Sequence, residues 1–373
     1  MKYTYDISTS LGLLRMLIAT ESFSTEESHT ANILMEACRL RHSAPCKARG
    51  SSPESGTYAK TAERIGNNVI LLDPEMDSSR PTLLLCSHHD TVKPNKAYTR
   101  NPFDPSIEGD NLYGLGSNDA GGCLVSLLEA FYALIQLPDR SHNLIFAAVA
   151  EEENSGGAGL RGILPDLPEI DLAVIGEPTG LQLAIAEKGL LVIDGLVTGT
   201  PGHAAHAHTV NPIAGAVEDV TALMGFAFDQ HSPNLGKVRV SVTQIEAGTQ
   251  HNVVPAECKY VVDVRVNERY TNEQVLKALQ RVAFHSKLTP RSLRHQSSSI
   301  PKEHKLVQTA VALGASTYGS PTLSDQAALT CPSIKCGPGD SRRSHQADEF
   351  LHVSELDAGI TFYTTWLTQF LRA

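Results

Sequence analysis

The sequence predicts an α/β protein with a largely parallel or mixed sheet and a smaller domain inserted into it. The first observation is a set of short apolar runs bounded by polar turns, which are typical of strands buried on both faces. Helical stretches alternate with these runs, and that alternation indicates helices layered on a largely parallel sheet. The runs are Val69–Leu72, Thr82–Cys86, Leu144–Val149, Leu172–Ile175 and Ser333–Cys336, and the expected helices span residues 7–20, 25–41, 121–136, 303–314 and 354–371.

The second observation is a change of pattern near residue 188. Polar and apolar residues alternate in the segments that follow, which indicates a sheet with one solvated face. The order strand, helix, strand, strand, helix, strand is typical of a ferredoxin-like unit. The expected strands are Leu190–Val197, Lys237–Thr243, Tyr260–Val266 and a segment near residue 292, and the helices begin at Asn211-Pro212 and at the capping box Thr271–Gln274.

Length and composition narrow the class of protein. The chain has 373 residues, and we expect one domain at residues 1–185 and 293–373 with an inserted domain at residues 186–292. A formal charge of −10, from 41 acidic against 31 basic residues, argues against non-specific binding to nucleic acid. Seven cysteines without paired spacing favour a reducing cytoplasm over a disulfide framework. No run of about 18 apolar residues occurs, so no membrane span is expected.

The stretch Leu112–Gly122 carries the acidic residue on which the site prediction depends. Glycines lie on both sides of Asp119, so the backbone there can take a tight, irregular path. The apolar run Cys123–Ile135 then indicates a helix, which places Asp119 just before its start. We interpret the Asp119 carboxylate as a bridge between two divalent metal ions. The alternative is that Asp119 is only the N-cap of the helix.

Four more acidic or imidazole clusters each follow an apolar run. In open α/β sheets, ligands collect at the carboxyl ends of the strands, so residues far apart in the chain meet at one sheet edge. Each cluster alone has an ordinary interpretation, as a hydrogen-bonded loop histidine or a solvated run of acids. Their shared position favours a metal site. The clusters are Ser87–Asp90, Glu151–Glu153, Gly176–Pro178 and Gly337–His345.

The first of these clusters has the spacing of a ligand histidine and its carboxylate. His88 and Asp90 are two residues apart, so they share a face in an extended segment while His89 points away. A carboxylate behind a ligand histidine fixes the tautomer of the ring and raises its basicity. We assign His88 as a metal ligand, Asp90 as the residue that orients it, and His89 as structural. Histidine and carboxylate ligands without cysteine suit zinc, with cobalt and manganese as alternatives.

In chain order, these motifs resemble those of the M20 family of metallopeptidases and deacylases. They are His88-x-Asp-Thr-Val92, Gly114-x-Gly-x-x-Asp119, a glutamate pair, Gly176-Glu-Pro178 and a late histidine. The resemblance covers essentially the whole chain and is strongest to the branch that deacetylates N-acetylornithine. It implies a zinc-exopeptidase-like catalytic domain with two zinc ions. It also implies that the inserted domain acts as a lid and forms a homodimer.

The resemblance implies a complete set of metal ligands. They are His88 and Glu177 for one zinc ion, Glu153 and His345 for the other, and Asp119 as the bridge. Glu152 would be the general base. The glutamate run is ambiguous by one position, so Glu151 and Glu152 are the alternative base and ligand pair. Many relatives have lysine after the bridging aspartate, where this chain has Ala120, and this departure indicates a sub-branch of the family.

The resemblance also assigns a histidine of the inserted domain. The segment Gly199–Ala205 matches a glycine-rich loop whose histidine, here His203, crosses to the partner subunit's site in the family. There it would donate a hydrogen bond to the oxyanion, where charge develops only in the transition state. The alternative is a metal cluster formed by His203 with His206 and His208.

Further matches concern the substrate. Asn252 and Arg265 match positions that bind the substrate carboxylate, for which arginine offers a bidentate fork. The alternative for Arg265 is a cross-strand ion pair. Gly337, Gly339 and Ser341 would line the pocket for the acyl group or the amino acid.

The resemblance implies an enzyme that hydrolyses small N-acyl amino acids, with N-acetylornithine as the expected substrate, in arginine biosynthesis. N-succinylornithine, N-acetylcitrulline and N-succinyl-diaminopimelate are alternative substrates. A di- or tripeptidase is the second enzymatic hypothesis. A metal-stabilised scaffold without catalysis is the non-enzymatic hypothesis, which the presence of every proposed catalytic group disfavours.

Overall fold

A computed structural model of the chain describes residues 4–43 and 62–372. These residues form two compact units. The first contains the described residues within Met1–Ile185, Ile300–Tyr318 and Ser324–Ala373, and the second contains Ala186–Ser299 and Gly319–Leu323. The second unit continues past the boundary expected near residue 292 because Ser298 and Ser299 pair with the strand at which this unit begins.

The described residues contain eight α-helices and eighteen strands. The helices are α1 (Ser10–Ile18), α2 (Ser28–Ser43), α3 (Gly122–Leu134), α4 (Leu160–Ile163), α5 (Pro212–Gly225), α6 (Asn272–Gln280), α7 (Lys305–Ala312) and α8 (Val353–Arg372). The strands are β1 (Ala62–Ile65), β2 (Asn68–Leu72), β3 (Thr82–His88), β4 (Ile107–Glu108), β5 (Asn111–Tyr113), β6 (Asn143–Val149), β7 (Leu172–Gly176), β8 (Leu183–Glu187), β9 (Gly189–Thr198), β10 (Gly202–His203), β11 (Arg239–Ala247), β12 (Val253–Val254), β13 (Glu257–Val266), β14 (Lys287–Pro290), β15 (Ser298–Ser299), β16 (Thr317–Ser320), β17 (Ser333–Cys336) and β18 (Phe350–His352).

The central sheet is mixed, with a parallel middle, and this confirms the predicted fold class. Its strands run in the order β1, β2, β6, β3, β7, β17, β8, β15, and β16 also pairs with β8. The four middle strands β6, β3, β7 and β17 are parallel, and β2 and β8 join them in antiparallel orientation on either side. Every residue of the four middle strands is buried. Burial on both faces explains why these strands appear in the sequence as continuous apolar runs.

Apolar side chains cover both faces of this sheet. Successive side chains of β3 point to opposite faces, so Leu83 and Leu84 belong to different clusters. Leu83 packs in a large core with Leu124 of α3 and Trp366 of α8. Leu84 packs in a smaller cluster with Leu160 of α4. The two layers of side chains fix the sheet, and with it the positions of the strand ends.

The second unit is built on an antiparallel sheet in the order β11, β13, β9, β14. Apart from the two-residue strands β10, β12 and β15, the elements between Gly189 and Ser299 follow the order β9, α5, β11, β13, α6, β14. Alternate residues of β13, such as Val262 and Val264, are buried in a core with Val275 of α6. The capping box at Thr271 is present: its side chain accepts the amide of Gln274, whose side chain accepts the amide of Thr271.

Some helices and strands begin or end at residues other than the predicted ones, because a capping side chain or a proline sets the end. The first helix begins at Ser10 rather than at residue 7, because Thr9 is the N-cap and its hydroxyl accepts the amide of Gly12 at 3.1 Å. The strand expected near residue 292 lies at Lys287–Pro290, where the proline has no amide hydrogen for the ladder.

In the described part of the chain, no helix is both long and apolar enough to cross a membrane.

Candidate metal centre

The predicted metal ligands lie where the central strands end. His88 is the last residue of β3, Glu177 follows β7 directly, and the run Glu151–Glu153 begins two residues after β6. Because these strands are parallel neighbours, their carboxyl ends meet at one sheet edge. Asp119 lies in an irregular turn ahead of α3, and His345 lies in the loop after β17. The structure therefore gathers at one edge residues that are far apart in the chain.

Asp119 lies between the two histidines. Its Oδ1 is 3.4 Å from Nε2 of His88, and its Oδ2 is 3.5 Å from Nε2 of His345. Nε2 of His88 is also 3.9 Å from Oε1 of Glu177, and Nε2 of His345 is 2.9 Å from Oε2 of Glu153. Oδ1 of Asp119 thus faces His88, which is near Glu177, and Oδ2 faces His345, which is near Glu153. This is the arrangement expected of a carboxylate that bridges two ions.

The donor set fits divalent cations. Ligand atoms of His88, Glu152 and Glu177 lie within 4.8 Å of one another, and so do those of His88, Asp119 and Glu153. Imidazole nitrogen and carboxylate oxygen are ligands of zinc and of other first-row divalent metals. The site therefore has both the spacing and the chemistry to hold metal.

Burial and like charge change the pKa values of these carboxyl groups. Burial, with the charge of Asp119, raises the pKa of Glu177 to about 8. Burial, with the charge of Glu177, raises the pKa of Glu152 well above its usual range. Burial also opposes ionisation of Asp119, but its hydrogen bond with His88 holds the pKa of Asp119 below the usual value. Positive charge at this edge would offset the repulsion among these groups.

The carboxylate of Asp90 lies closer to the main-chain amides of the run Glu151–Glu153 than to the ring of His88. Nδ1 of His88 lies 3.0 Å from the main-chain oxygen of Asp90 and 3.5 Å from its carboxylate Oδ1. The Asp90 carboxylate accepts the amides of Glu152 and Glu153 at 3.0 and 3.1 Å and the hydroxyl of Ser24 at 2.7 Å. Asp90 therefore lies behind His88 as expected, and it also holds the main chain of two other predicted site residues.

The turn that carries Asp119 is held by a residue that sequence reasoning missed. Asp119 does not act as the N-cap of α3, since that position is occupied by Gly121. Oε1 of Glu349 accepts the amides of Asn118 at 2.9 Å and Asp119 at 3.0 Å. Burial, with the charge of Asp119, raises the pKa of Glu349 to about 8. A single acid in a polar loop carries no sequence pattern that would have identified it.

Two side chains next to the ligands point elsewhere. Oε2 of Glu151 accepts the amide of Ala158 at 3.0 Å. This contact supports Glu152 and Glu153, rather than Glu151 and Glu152, as the base and ligand pair. The ring nitrogens of His89 lie 2.9 Å from the hydroxyl of Thr30 and 2.9 Å from the main-chain oxygen of Asn67. Both nitrogens of His89 are therefore engaged in structural hydrogen bonds.

His203 and Asn252 lie on neighbouring segments of the second unit. β10 pairs with β12, which sets His203 opposite Val253, and the amide of Ala204 donates to the main-chain oxygen of Asn252 at 3.0 Å. The side chains of His203 and Asn252 are exposed. Among the described residues, the groups with metal-ligand spacing include none of the histidines at 203, 206 and 208. The structure therefore gives no support to the alternative metal cluster.

Arg265 forms an ion pair within its own strand. Its Nε donates to Oδ1 of Asp263 at 2.9 Å, two residues earlier on β13. The cross-strand neighbours of Arg265 are Arg239 on β11 and Leu190 on β9, and neither is an acid. The alternative of a cross-strand ion pair is therefore wrong, while the expected role of Arg265 in substrate binding stays a prediction.

The loop after β17 requires glycine for packing. A Cβ atom at Gly337 would lie 2.5 Å from Sγ of Cys123, and one at Gly339 would lie 2.5 Å from Oδ1 of Asn118. Gly339 also has a φ of +86°, which side chains disfavour. Ser341 is exposed at the start of a short 3₁₀ turn in the same loop. Close packing explains the two glycines, and contact of this loop with substrate stays a prediction.

A mixed α/β sheet with histidine and carboxylate groups gathered at one edge is an architecture that can hold a catalytic metal centre. The chain belongs to peptidase family M20/M25/M40, whose sequence profile matches residues 84–369. This match confirms the resemblance drawn from the motifs, and the protein is a hydrolase of that family.

Individual relatives agree with the family assignment. The chain is 27% identical over 383 aligned positions to a succinyl-diaminopimelate desuccinylase from Methylorubrum populi, which covers 95% of this chain and 96% of that protein. It is 28% identical over 383 positions to an acetylornithine deacetylase from Proteus mirabilis, with 94% of each chain covered. A dinuclear metal-binding peptidase of family M20 from Bacillus subtilis has a similar fold, with a TM-score of 0.72 at 15% identity over 98% of this chain and 99% of that one.

Proposed function

We propose that this protein is a dinuclear metal amidohydrolase that removes a short acyl group from an N-acyl amino acid, with N-acetylornithine as the preferred substrate. The observation that carries the proposal is the position of Asp119, whose two oxygens face His88 and His345 separately. The names of the desuccinylase and the deacetylase among the relatives describe removal of succinyl and acetyl groups. These names support a deacylase over a peptidase.

In this proposal each residue at the sheet edge has a defined role. His88 and Glu177 would hold one ion, Glu153 and His345 would hold the other, and Asp119 would contribute to both. The ions, which we expect to be zinc with cobalt or manganese as alternatives, would supply a Lewis acid for the amide carbonyl and would lower the pKa of water to roughly 7. Glu152 accepts the proton of the attacking water and donates it to the departing nitrogen. Such proton transfer contributes on the order of a hundred- to ten-thousand-fold in rate.

Residues outside the metal site complete the proposal. Asn252 and Arg265 bind the carboxylate of the amino acid, and His203 donates to the oxyanion. The loop that contains Gly337, Gly339 and Ser341 lines the acyl pocket. The exposure of His203 and Asn252 on paired segments supports a shared role for these two side chains.

We place this reaction in arginine biosynthesis in the cytoplasm. In the part of the chain that the structure describes, six cysteines carry free thiols. Free thiols persist in a reducing compartment, where glutathione and thioredoxin oppose disulfide formation. The similarity to an acetylornithine deacetylase supports the choice of pathway.

A substrate panel tests the proposed function. We expect the highest kcat/KM on N-acetyl-L-ornithine, lower values on N-succinyl-L-ornithine, N-acetyl-L-citrulline and N-succinyl-diaminopimelate, and little cleavage of dipeptides and tripeptides. Metal content measured alongside should approach two ions per chain, and a chelator should abolish turnover until zinc, cobalt or manganese is restored. Cleavage of peptides alone would overturn the deacylase assignment. A protein that binds two ions and hydrolyses nothing in the panel would be a scaffold instead.

We also propose that the second unit forms a homodimer. Three apolar residues on one side of α5, Ile213, Val217 and Met224, are 36%, 53% and 60% exposed. β11 is an edge strand of its sheet, and its Ile245 is 55% exposed. An apolar helix face and an unpaired strand edge are both features that a second copy of the chain can cover. The dimer would bring His203 to the partner's site.

Substitution on the exposed face of α5 tests the dimer. The double variant Val217→Glu with Met224→Glu should sediment as a monomer at micromolar concentration, because two charges on each copy would be buried against the other. The wild-type chain should sediment as a dimer under the same conditions. Val311→Glu is the matched control, since Val311 is a 37% exposed residue on α7 of the first unit, and it should leave the dimer intact. A monomeric wild type would contradict the dimer and remove support for the role of His203.

A further inference from the structure

Four consecutive amide groups directly after β6 donate to buried side chains instead of to a neighbouring strand. They belong to the residues that lead into and form the acidic run. The bonds run from Ala150 to Oδ1 of Asn68 at 2.9 Å, from Glu151 to Oε1 of Glu27 at 3.2 Å, and from Glu152 and Glu153 to the two carboxylate oxygens of Asp90 at 3.0 and 3.1 Å.

The end of β6 makes these bonds necessary. The ladder between β6 and β3 ends at Val149, opposite His88. Buried amides beyond that point need other acceptors, since an unpaired amide away from water is costly. Glu151 also has a left-handed backbone with a φ of 57°, so the chain turns sharply within the run. Side-chain acceptors therefore determine the path of the main chain that carries Glu152 and Glu153.

Glu27 is fully buried and accepts three hydrogen bonds. Its Oε1 accepts the amides of Thr25 at 2.6 Å and Glu151 at 3.2 Å, and its Oε2 accepts Nδ2 of Asn67 at 2.8 Å. The orientation of the Asn67 amide is fixed on its other side, because Oδ1 of Asn67 accepts Nη2 of Arg64 at 2.9 Å. Every partner of Glu27 is a donor, so the site requires an acceptor at both oxygens.

Glu27 lies at the N-cap position of α2, where a side chain ordinarily caps the helix. It directly precedes α2, and its main-chain oxygen accepts the amide of Ala31 in the first helical turn. The preferred residues at such a position, serine, threonine, aspartate and asparagine, cap the helix with their side chains. Here the side chain turns towards the acidic run instead. Two nearby side chains contact the segment after β3: Ser24 donates to Asp90, and Thr30 contacts His89.

We infer that Glu27 is a positioning residue for the hydrolysis. It fixes the main chain at Glu151 so that the next two side chains face the metal site, Glu152 as the base and Glu153 as a ligand. Glu27 touches neither substrate nor metal, and it acts together with Asp90, which holds the two following amides. This inference rests on the proposed function, which assigns the roles of Glu152 and Glu153.

Glu27→Gln is the first test. The variant keeps the size of the side chain but turns an NH₂ group towards the NH₂ group of Asn67, so two donors face each other. Residues behind metal ligands typically change metal affinity or activity by about 10- to 100-fold when they are substituted. We expect a loss of that order in kcat with little change in KM, and a weaker affinity for zinc measured by competition with a chromogenic chelator.

A second substitution separates positioning from general damage to the fold. Asn67→Asp in the Glu27→Gln background supplies a carboxylate that accepts both the new amide and Arg64, and it should restore kcat and zinc affinity towards the wild-type values. Asn67→Asp alone places two carboxylates next to each other, so this variant should also have a lower kcat and a weaker affinity for zinc than the wild type. Glu36→Gln is the matched control on α2, because the side chain of Glu36 is 45% exposed and pairs with Arg39 one helical turn away; it should behave as wild type.

The outcomes distinguish this inference from the proposed function. If Glu27→Gln keeps wild-type kcat and zinc affinity while Glu152→Gln is inactive, the positioning role is wrong and the proposed function stands. If the wild type hydrolyses no acyl amino acid, the proposed function fails, and the change in zinc affinity still tests whether Glu27 positions Glu153. A loss of fold in metal-free Glu27→Gln, seen by circular dichroism and not reversed by Asn67→Asp, would show a merely structural role.

Discussion

Replacing Glu152 with glutamine should lower kcat for N-acetylornithine by about a hundred- to ten-thousand-fold. Glutamine has nearly the same shape, but it cannot take the proton of the attacking water or return it to the departing nitrogen. The proposed ligands His88, Asp119 and Glu177 are unchanged, so the variant should retain its fold and two metal ions. Steady-state kinetics, circular dichroism and metal analysis on the same preparation measure all three properties.

The matched control lies one residue earlier. Glu151 directs its carboxylate to the amide of Ala158, so Glu151→Gln should keep both ions and most of the turnover. Equal turnover in Glu152→Gln and the wild type would contradict the role assigned to Glu152. Loss of turnover in Glu151→Gln, with Glu152→Gln losing metal instead, would move the base and the ligand to residues 151 and 152.

Replacing Arg140 with methionine should destabilise the first unit by about 3–5 kcal/mol, the usual cost of leaving a buried charge without its partner. Nη2 of Arg140 donates to both carboxylate oxygens of Asp73 at 2.7 and 2.9 Å, and both residues are buried. Nη1 donates to the main-chain oxygens of Ile135 and Leu137, just after α3. Urea unfolding followed by the fluorescence of Trp366, the only tryptophan and a core residue of this unit, measures the loss.

Two further variants separate the buried charge from the loss of packing. Asp73→Asn in the Arg140→Met background removes the isolated charge, so it should recover part of the lost stability. Arg39→Met breaks an exposed pair with Glu36 whose contacts are equally short, at 2.7 and 2.6 Å. It should leave the unfolding midpoint unchanged, because exposed ion pairs contribute little. An unchanged midpoint for Arg140→Met would contradict the cost assigned to breaking this buried pair.

The central strands could be predicted because burial on both faces removes polar residues from them. β17 has the predicted bounds Ser333–Cys336, whereas β3 continues past the predicted end at Cys86 to His88. The ladder with β6 continues through Ser87 and His88 although the apolar pattern has stopped. Strand ends are hard to predict at this sheet edge because the chemistry of the site requires polar residues within the strand.

Sequence reasoning found side chains that face the site and missed those that hold the main chain behind it. No sequence motif singles out Glu27, Asn68 or Glu349, and each accepts an amide from a residue 82 or more positions away in the chain. Such a bond depends on which backbone groups the tertiary fold leaves without partners. A single sequence carries no record of that requirement, whereas the strand-end rule brought His88 and Glu177 together from sequence alone.

The pairing of Ser298 with Glu187 has a consequence for how this protein can be remodelled. The segment from Ala186 to Ser299 leaves and rejoins the chain through hydrogen-bonded neighbours, as in domains that tolerate insertion. We expect this junction to accept a module of different size, because the two ends of the segment already lie side by side. The proposed metal ligands and the proposed base Glu152 all lie outside this segment, so an exchange of the segment would leave them in place.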